Sequence, residues 1–395
     1  MSSLDPKARM NTIIEQRFSV PYSYQVCFTE DLFGLDNPVF VDALEKGKRP
    51  KVFFVIDSGV SDSHPNLIDR IKSYSNKYSE RFILAAEPMV AIGGEACKND
   101  LSIYQKVVEA THLYGIDRHS YIAVIGGGAV LDMVGFAAAI SHRGIRLIRI
   151  PTTVLSQNDS AVGVKNSINA FGKKNYLGTF APAVAVLNDF NFLKTLDDRD
   201  WRAGIAEAIK VAMIKDLSFF TWLEEHAVAM AKREMVPMKV QIIRSAQMHM
   251  DHIAGKDPFE FGSSRPLDFG HWAAHKLEHL SDFRIRHGEA VAIGITLDSA
   301  YSFLQGRISK ADLDRIFNLM HTLGFELFIP ELEGANLVTG LQEFQEHLGG
   351  ELTIMLLESL GKGVEIHEMD HELIFEAVDM LSEFHAQHNA EKIKN

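Results

Sequence analysis

Residues Tyr121–Phe136 read YIAVIGGGAVLDMVGF, a short apolar run that passes directly into glycines and then into a helical pattern. The run has the composition of a β-strand, and the glycines lead into a helix predicted over residues 129–141. Backbone amides at that helix start are placed to meet a phosphate. The spacing departs from the dinucleotide fingerprint, because Leu131 stands where the last glycine of G-x-G-x-x-G belongs, and no P-loop lysine follows. A plain tight turn is the competing reading.

Working outward, the same alternation continues on both sides. Upstream lie strands at 51–57 and 81–86 and helices at 66–78 and 99–114, with a further strand at 22–28. Downstream, a strand at 145–150 is stopped by Pro151, and another follows at 183–187. Such alternation implies a largely parallel sheet with helices on both faces and ligands beyond the carboxyl ends of its strands. Asp57, at one such end, could bind a ribose hydroxyl or serve only as a cap. The stretch 151–180 is rich in small, polar and lysine residues and reads as a functional loop. From Leu196 onward nearly every segment is helical by period: 201–215, 219–233, 237–252, 271–280, 289–304, 310–323 and 372–388. A domain boundary is therefore expected near Thr195.

The 395 residues are 46% hydrophobic and 23% charged, an ordinary globular balance with length enough for two cores. A formal net charge of -12 argues against binding a nucleic-acid backbone. Cys27 and Cys97 are the only cysteines, which leaves no disulfide framework or thiolate cluster and fits a reducing cytoplasm. The N-terminus lacks an apolar signal core, and no apolar run is long enough for a membrane span, so a soluble cytoplasmic protein is expected.

Residues Asp268–Gly294, DFGHWAAHKLEHLSDFRIRHGEAVAIG, gather His271, His275, His279 and His287. The first three recur every four residues and share a helix face. Imidazole suits zinc, and a catalytic zinc site takes three protein ligands from separate parts of the chain. Solvated histidines on an amphipathic helix are the competing reading. In RAGIAEAIKVAMIK, Glu207 and Lys210 lie one turn apart; an exposed helical pair worth roughly 0.2–0.5 kcal/mol is one account of them.

The order of these pieces is more informative than any one of them. GGGAVLDMVGFAAA begins at Gly126, RGI at Arg143, PTT at Pro151, DSAVGVK at Asp159, KKN at Lys173, TL at Thr195, GIAEAIK at Gly204, FGHWAAH at Phe269 and HGEAVAIG at His287. From about Asp57 to Gly294 this set resembles the 3-dehydroquinate synthase family of sugar-phosphate cyclases. The resemblance implies an α/β NAD-binding domain over residues 1–195, with a mostly parallel sheet and a Rossmann-like NAD site. It also implies an all-α metal-binding and catalytic domain over residues 196–395, and a homodimer. The implied reaction turns a heptulose phosphate into a carbocycle with elimination of phosphate, using recycled NAD and zinc or another divalent metal such as cobalt.

Carried onto matching positions, the resemblance makes Glu207, His271 and His287 the metal ligands and turns His275 into a substrate-facing base. Cofactor contacts fall on Asp57, Glu95 and Lys98, on Gly127, Gly128 and Asp132, on Thr152, Thr153, Asp159 and Lys174, and on Phe192, Thr195 and Asp200. Phosphate would meet Lys165, Asn175 and, from the partner subunit, Arg143. Lys210 would hold a substrate hydroxyl with Glu260 nearby, and the catalytic set would be His275, Lys210, Lys165 and Asp159.

Several positions depart from the family pattern. Asp268 stands for an asparagine, and the arginine before it is shifted by one place, to Arg265 beside Ser264. Met250 stands where a lysine is expected, Gln345 and Glu346 where a lysine pair is expected, and Val164, Asn166 and Ser167 replace glycine, threonine and alanine. Each lost charge-assisted bond weakens binding of a substrate with both phosphate and carboxylate by roughly 1.5–3 kcal/mol. Asp268, in a substrate-binding position, would also repel a carboxylate. A carboxylate-free substrate such as sedoheptulose 7-phosphate, as for 2-epi-5-epi-valiolone synthase-like cyclases, is therefore the alternative. A metal-dependent polyol dehydrogenase, which normally has Asp where Glu207 stands, is a more distant one.

Overall fold

The computed structural model describes residues 13–255, 257–259, 267–348 and 351–394. In chain order the first half contains β1 (Gln25–Thr29), α1 (Val39–Asp42), β2 (Lys51–Asp57), α2 (Ser58–Ser63), α3 (Leu67–Lys77), β3 (Ile83–Leu84), β4 (Met89–Ala91), α4 (Ala96–Asn99), α5 (Leu101–Leu113), β5 (Tyr121–Gly126), α6 (Gly128–Ile140) and β6 (Arg146–Pro151). It ends with β7 (Lys165–Ala170), β8 (Lys173–Phe180) and β9 (Ala185–Asp189). β1, β9, β6, β5, β2 and β3 lie side by side in that order, with β4 also on β2, and every pairing in this sheet is parallel.

Strand alternation explains why the sheet is covered on both faces. Phe53 and Val55 of β2 join Ile122 and Val124 of β5 on one face, beneath Val107 of α5 and Val130 and Val134 of α6. Phe54 and Ile56 join Ala123 and Ile125 on the other, against Phe40, Leu67, Ile71 and Tyr74. Each of the larger side chains contributes about 1.5–3 kcal/mol by its burial. The strand expected at 81–86 is shorter than foreseen, since only Ile83 and Leu84 pair with β2, and Met89–Ala91 adds the short β4.

The stretch 151–180 is not an open loop. Ser156–Ser160 form a π-helical turn, and β7 and β8 form an antiparallel hairpin. Its polar composition is accommodated because Arg149, fully buried in β6, donates to the carbonyls of Ala161 (3.0 Å), Gly163 (2.9 Å) and Lys165 (2.6 Å) and to Asn166 Oδ1 (2.7 Å). Asn166 and Asn169 are buried yet bonded, Asn169 to Glu95 Oε1 (2.8 Å) and Asn99 Oδ1 (2.9 Å). Buried polar groups carry little penalty when each has a partner.

The second half contains α7 (Asp198–Lys215), α8 (Leu217–Ala231), α9 (Met235–Ile253), α10 (His271–Leu280), α11 (His287–Leu304), α12 (Lys310–Thr322), α13 (Ala335–Leu348), β10 (Ile354–Ser359), β11 (Lys362–Ile366) and α14 (His371–Lys394). Asp197 caps α7 by accepting from Asp200 N. α7 and α11 are buried along nearly their whole length at the centre of one apolar core. The half is not wholly helical: β10 and β11 form a hairpin, and its buried run Ile354–Leu357 has no periodicity that separates strand from helix. No helix among the described residues is long and apolar enough to cross a membrane.

Candidate active site

The carboxyl ends of β2, β5 and β6 open onto a cleft of about 560 Å³. Asp57, Gly127 and Thr152 lie at these three ends, and Glu95, Gly128, Thr153, Phe192, Thr195 and Asp200 complete the foreseen part of the lining. Asp57 caps α2 by accepting from Gly59 N at 2.8 Å. Burial pushes its carboxyl above the usual range, although the amides of Gly59 and Gly127 oppose this. α6 begins at Gly128 and points its free amides into the cleft, the geometry that favours a phosphate. Of the other foreseen cofactor positions, Lys98, Asp132, Asp159 and Lys174 lie outside this lining.

The cleft runs to His287, and there the second site begins. Glu207 on α7, His271 at the start of α10 and His287 at the start of α11 bring three ligand atoms within 4.8 Å of one another. Glu207 Oε1 lies 3.3 Å from His287 Nε2 and 3.8 Å from His271 Nε2. Close helix packing makes this meeting possible. A Cβ on Gly288 would lie 2.5 Å from Ala203 Cα of α7, and one on Gly294 would lie 2.1 Å from Gly270 O, just before α10.

Glu207 and Lys210 are not an exposed helical pair. Both are buried, with Lys210 Nζ 2.5 Å from Glu207 Oε2. Burial alone would raise the Glu207 carboxyl, but Lys210 and the two histidines hold it well below its usual value. Neither Glu207 oxygen makes a hydrogen bond of normal geometry. Burial and the Lys210 charge lower His271 to about 3, so its imidazole is neutral. Burial disfavours the charged form of His287, yet Glu207 and Glu278 on its two ring nitrogens outweigh this and lift it to about 10. Two imidazoles and a carboxylate with unsatisfied oxygens, drawn from three helices, fit a divalent metal of the zinc type.

Glu278 was not singled out by sequence reasoning. Its Oε2 lies 3.3 Å from His287 Nδ1 and its Oε1 2.7 Å from Lys174 Nζ, so it fixes the far side of the histidine and ties α10 to the β7–β8 hairpin. Its place one turn beyond His275 was the available signal. Arg286, also missed, lines the cleft and pairs with Asp200 at 2.5 Å and Asp197 at 3.3 Å. His64 reaches Thr195 Oγ1 at 2.9 Å on the same lining.

His275 is exposed, its ring centre 5.7 Å from that of His271 and 6.0 Å from that of His287. It also forms a second set of possible ligand atoms with Glu278 and His287. His279 is exposed and its ring leans on Phe283. Asp268 lies close enough to Lys210 and His275 for its charge to act on both. Glu260, Ser264 and Arg265 lie outside the described residues.

Three of the foreseen phosphate and cofactor positions, Lys98, Asp132 and Asn175, meet at the hairpin. Lys98, buried, donates to Asp132 Oδ2 (2.9 Å), Ser167 Oγ (3.1 Å) and Asn175 Oδ1. Asn175 adopts a positive φ of 55°. Lys165 is exposed at the start of β7. Arg143 is exposed after the end of α6, about 20 Å along that helix from the cleft. Asp159 pairs with His249 of α9, Nδ1 to Oδ1 at 2.7 Å. α9 thus meets this turn through His249, and also through Gln241, whose Oε1 lies 3.4 Å from Asn158 Nδ2.

Comparison with known proteins follows the same outline. The 3-dehydroquinate synthase N-terminal family matches residues 88–203 and its C-terminal family residues 204–344. A 3-dehydroquinate synthase of Acidithiobacillus ferrooxidans is 33% identical over 83% of this chain and 87% of its own. A 2-epi-5-epi-valiolone synthase of Streptomyces albus is also 33% identical, over 86% of this chain and 83% of its own. The solved 2-epi-5-epi-valiolone synthase of Streptomyces hygroscopicus subsp. jinggangensis, with NAD+ and Zn2+ bound, superposes with a TM-score of 0.85 at 28% identity, covering 94% of this chain and 99% of that one. With both family halves present in order, the chain belongs to the 3-dehydroquinate synthase family.

Proposed function

We propose that the chain is a sugar-phosphate cyclase that converts a heptulose phosphate into a carbocycle with elimination of phosphate, using recycled NAD and a divalent metal. The observation that carries this reading is His287, which belongs both to the cofactor cleft and to the Glu207–His271–His287 cluster. A hydride acceptor and a metal bound there would act on one substrate carbinol, at its carbon and at its oxygen respectively. When bound, the metal supplies a Lewis acid for a substrate oxygen and NAD supplies reversible hydride acceptance.

The chain's own residues then have distinct tasks. Glu207, His271 and His287 hold the metal, and Glu278 holds the tautomer of His287. Lys210, buried beside Glu207, grips a substrate hydroxyl, and His275, exposed at the same corner, moves a proton. Lys165 and Asn175 bind phosphate. The distance of Arg143 from its own cleft supports a homodimer, in which Arg143 of the partner subunit completes the phosphate site. The division at Thr195 follows the change from the sheet to the helical core.

Asp268 favours a second, narrower reading. A carboxylate acting on Lys210 takes up part of the cationic field that a substrate carboxylate would need, so a carboxylate-free heptulose phosphate suits the pocket better. Purified protein with NAD and zinc is to be given 3-deoxy-arabino-heptulosonate 7-phosphate or sedoheptulose 7-phosphate, and released phosphate and the carbocycle measured. Cyclisation without net NADH is expected, faster with the carboxylate-free sugar. Phosphate release from neither sugar, or net NADH from glycerol, would overturn the cyclase reading.

A further inference from the structure

We propose that His249, held by Asp159, is a specificity-determining residue that reads a neutral hydroxyl of the substrate and disfavours a carboxylate at that position; this rests on the cyclase reading above. His249 lies near the end of α9, packed against the Ser156–Ser160 turn, and its Nδ1 is 2.7 Å from Asp159 Oδ1. With the proton on Nδ1 the carboxylate accepts it, which fixes the tautomer and leaves Nε2 as an acceptor. Nε2 has no hydrogen-bond partner among the described residues and lies beside Gly163, in the loop between Asp159 and Lys165. Both side chains of the pair are partly open, at 17% and 24% exposure, so the pair is not sealed in the core.

The location ties the pair to the reacting corner. The charge of Asp159 acts on Lys210, and that of Glu207 acts on Asp159, so these groups lie near one another at the corner where Glu207 meets His271 and His287. Asp268 borders it as well, through Lys210. Three carboxylates therefore face one buried ammonium, and the side chain that α9 adds is an imidazole that already has a carboxylate partner. Such a wall offers hydroxyl-sized hydrogen bonding but no spare positive charge. A lysine on α9 at this place would provide one.

The test compares wild type with His249→Lys and His249→Gln, using initial rates of phosphate release from sedoheptulose 7-phosphate and 3-deoxy-arabino-heptulosonate 7-phosphate. His249→Lys is expected to shift the kcat/KM ratio at least tenfold toward the carboxylate-bearing sugar. His249→Gln, which retains a donor for Asp159 but loses the ring acceptor, is expected to lower kcat/KM for the carboxylate-free sugar at least tenfold while leaving that for the carboxylate-bearing sugar within about twofold. Thermal melting of each variant separates misfolding from specificity, because a structural role would lower both rates together. Wild-type turnover with an unchanged ratio in His249→Lys overturns this inference alone. No turnover of either sugar by wild type overturns the cyclase reading and this inference with it.

Discussion

The cofactor cleft and the metal corner share His287, yet they are built by opposite means. In the cleft, backbone at the ends of β2, β5 and β6 provides the surface, and local turns such as Asp57 to Gly59 hold it. In the metal corner, side chains distant in sequence meet because α7, α10 and α11 pack closely at Gly288 and Gly294. A site made of backbone depends on short stretches of sequence, whereas one made of side chains depends on the whole helical core. Substitutions in the core should therefore disturb metal retention far more than cofactor binding.

The largest separation is expected from Glu207→Gln. The amide keeps the volume but removes the charge that balances Lys210 and the carboxylate oxygen that faces both histidines. Removing a group that only orients a ligand costs about 10–100-fold in metal affinity, so losing a ligand should exceed about 100-fold. Metal analysis after dialysis gives the first quantity, and NAD titration by fluorescence gives the second. Zinc retention should fall while NAD affinity stays within about twofold, the direction set by ligand chemistry. A parallel fall in both would erase the contrast.

Gly294→Ala should act in the same direction with a smaller effect. The new methyl would meet Gly270 O at 2.1 Å, so α10 must move away from α11 and carry His271 with it. The three nearest atoms all belong to the Gly270 backbone, which leaves no side chain to swing aside, and overpacking of this kind costs about 3 kcal/mol. Denaturant midpoints should report the lost stability, and metal retention should weaken before NAD binding does. A variant as stable as wild type with unchanged zinc content would show that the close approach is not needed.

The difference between the two sites also explains what sequence alone could reveal. The strand, glycines and helix of Tyr121–Phe136 lie in one continuous stretch, so both their order and their role in a parallel sheet were legible. His271 and His287 stood out by residue type, and the ordered motifs supplied Glu207. Tertiary packing decided the rest. Met250 was noted on α9 only as standing where a lysine is expected; its neighbour His249 drew no notice, because the packing of α9 against the Ser156–Ser160 turn is what brings that ring to Asp159. Arg149 looked like any strand residue, since nothing in its neighbours shows that the carbonyls of Ser160, Ala161, Gly163 and Lys165 and the Asn166 side chain would turn inward to it. Without that arginine in view, the stretch read as a functional loop.

Asp298 offers the finest distinction between the two regions. It is fully buried within α11 and accepts from Gly270 N at 3.0 Å and Trp272 Nε1 at 2.9 Å, the residues on either side of His271. Burial lifts its carboxyl to about 7, although both donors favour the charged form. An unfolded aspartate titrates near 3.9. Between those values the folded chain binds more protons than the unfolded one, so this group's contribution to stability is greatest in acid, declines as pH rises to about 7 and is flat above. Asp298→Asn should remove a slope of about 1 kcal/mol per pH unit between pH 5 and 7, read from denaturant midpoints. Asp57 in the cleft is raised by burial too, but it caps a helix at the edge of an open cavity, so Asp57→Asn should change the slope less. Equal changes from the two substitutions would mean that the metal corner is no drier than the cofactor cleft. A larger change from Asp298→Asn would locate the low-dielectric side of the active site at the helices that carry His271 and His287.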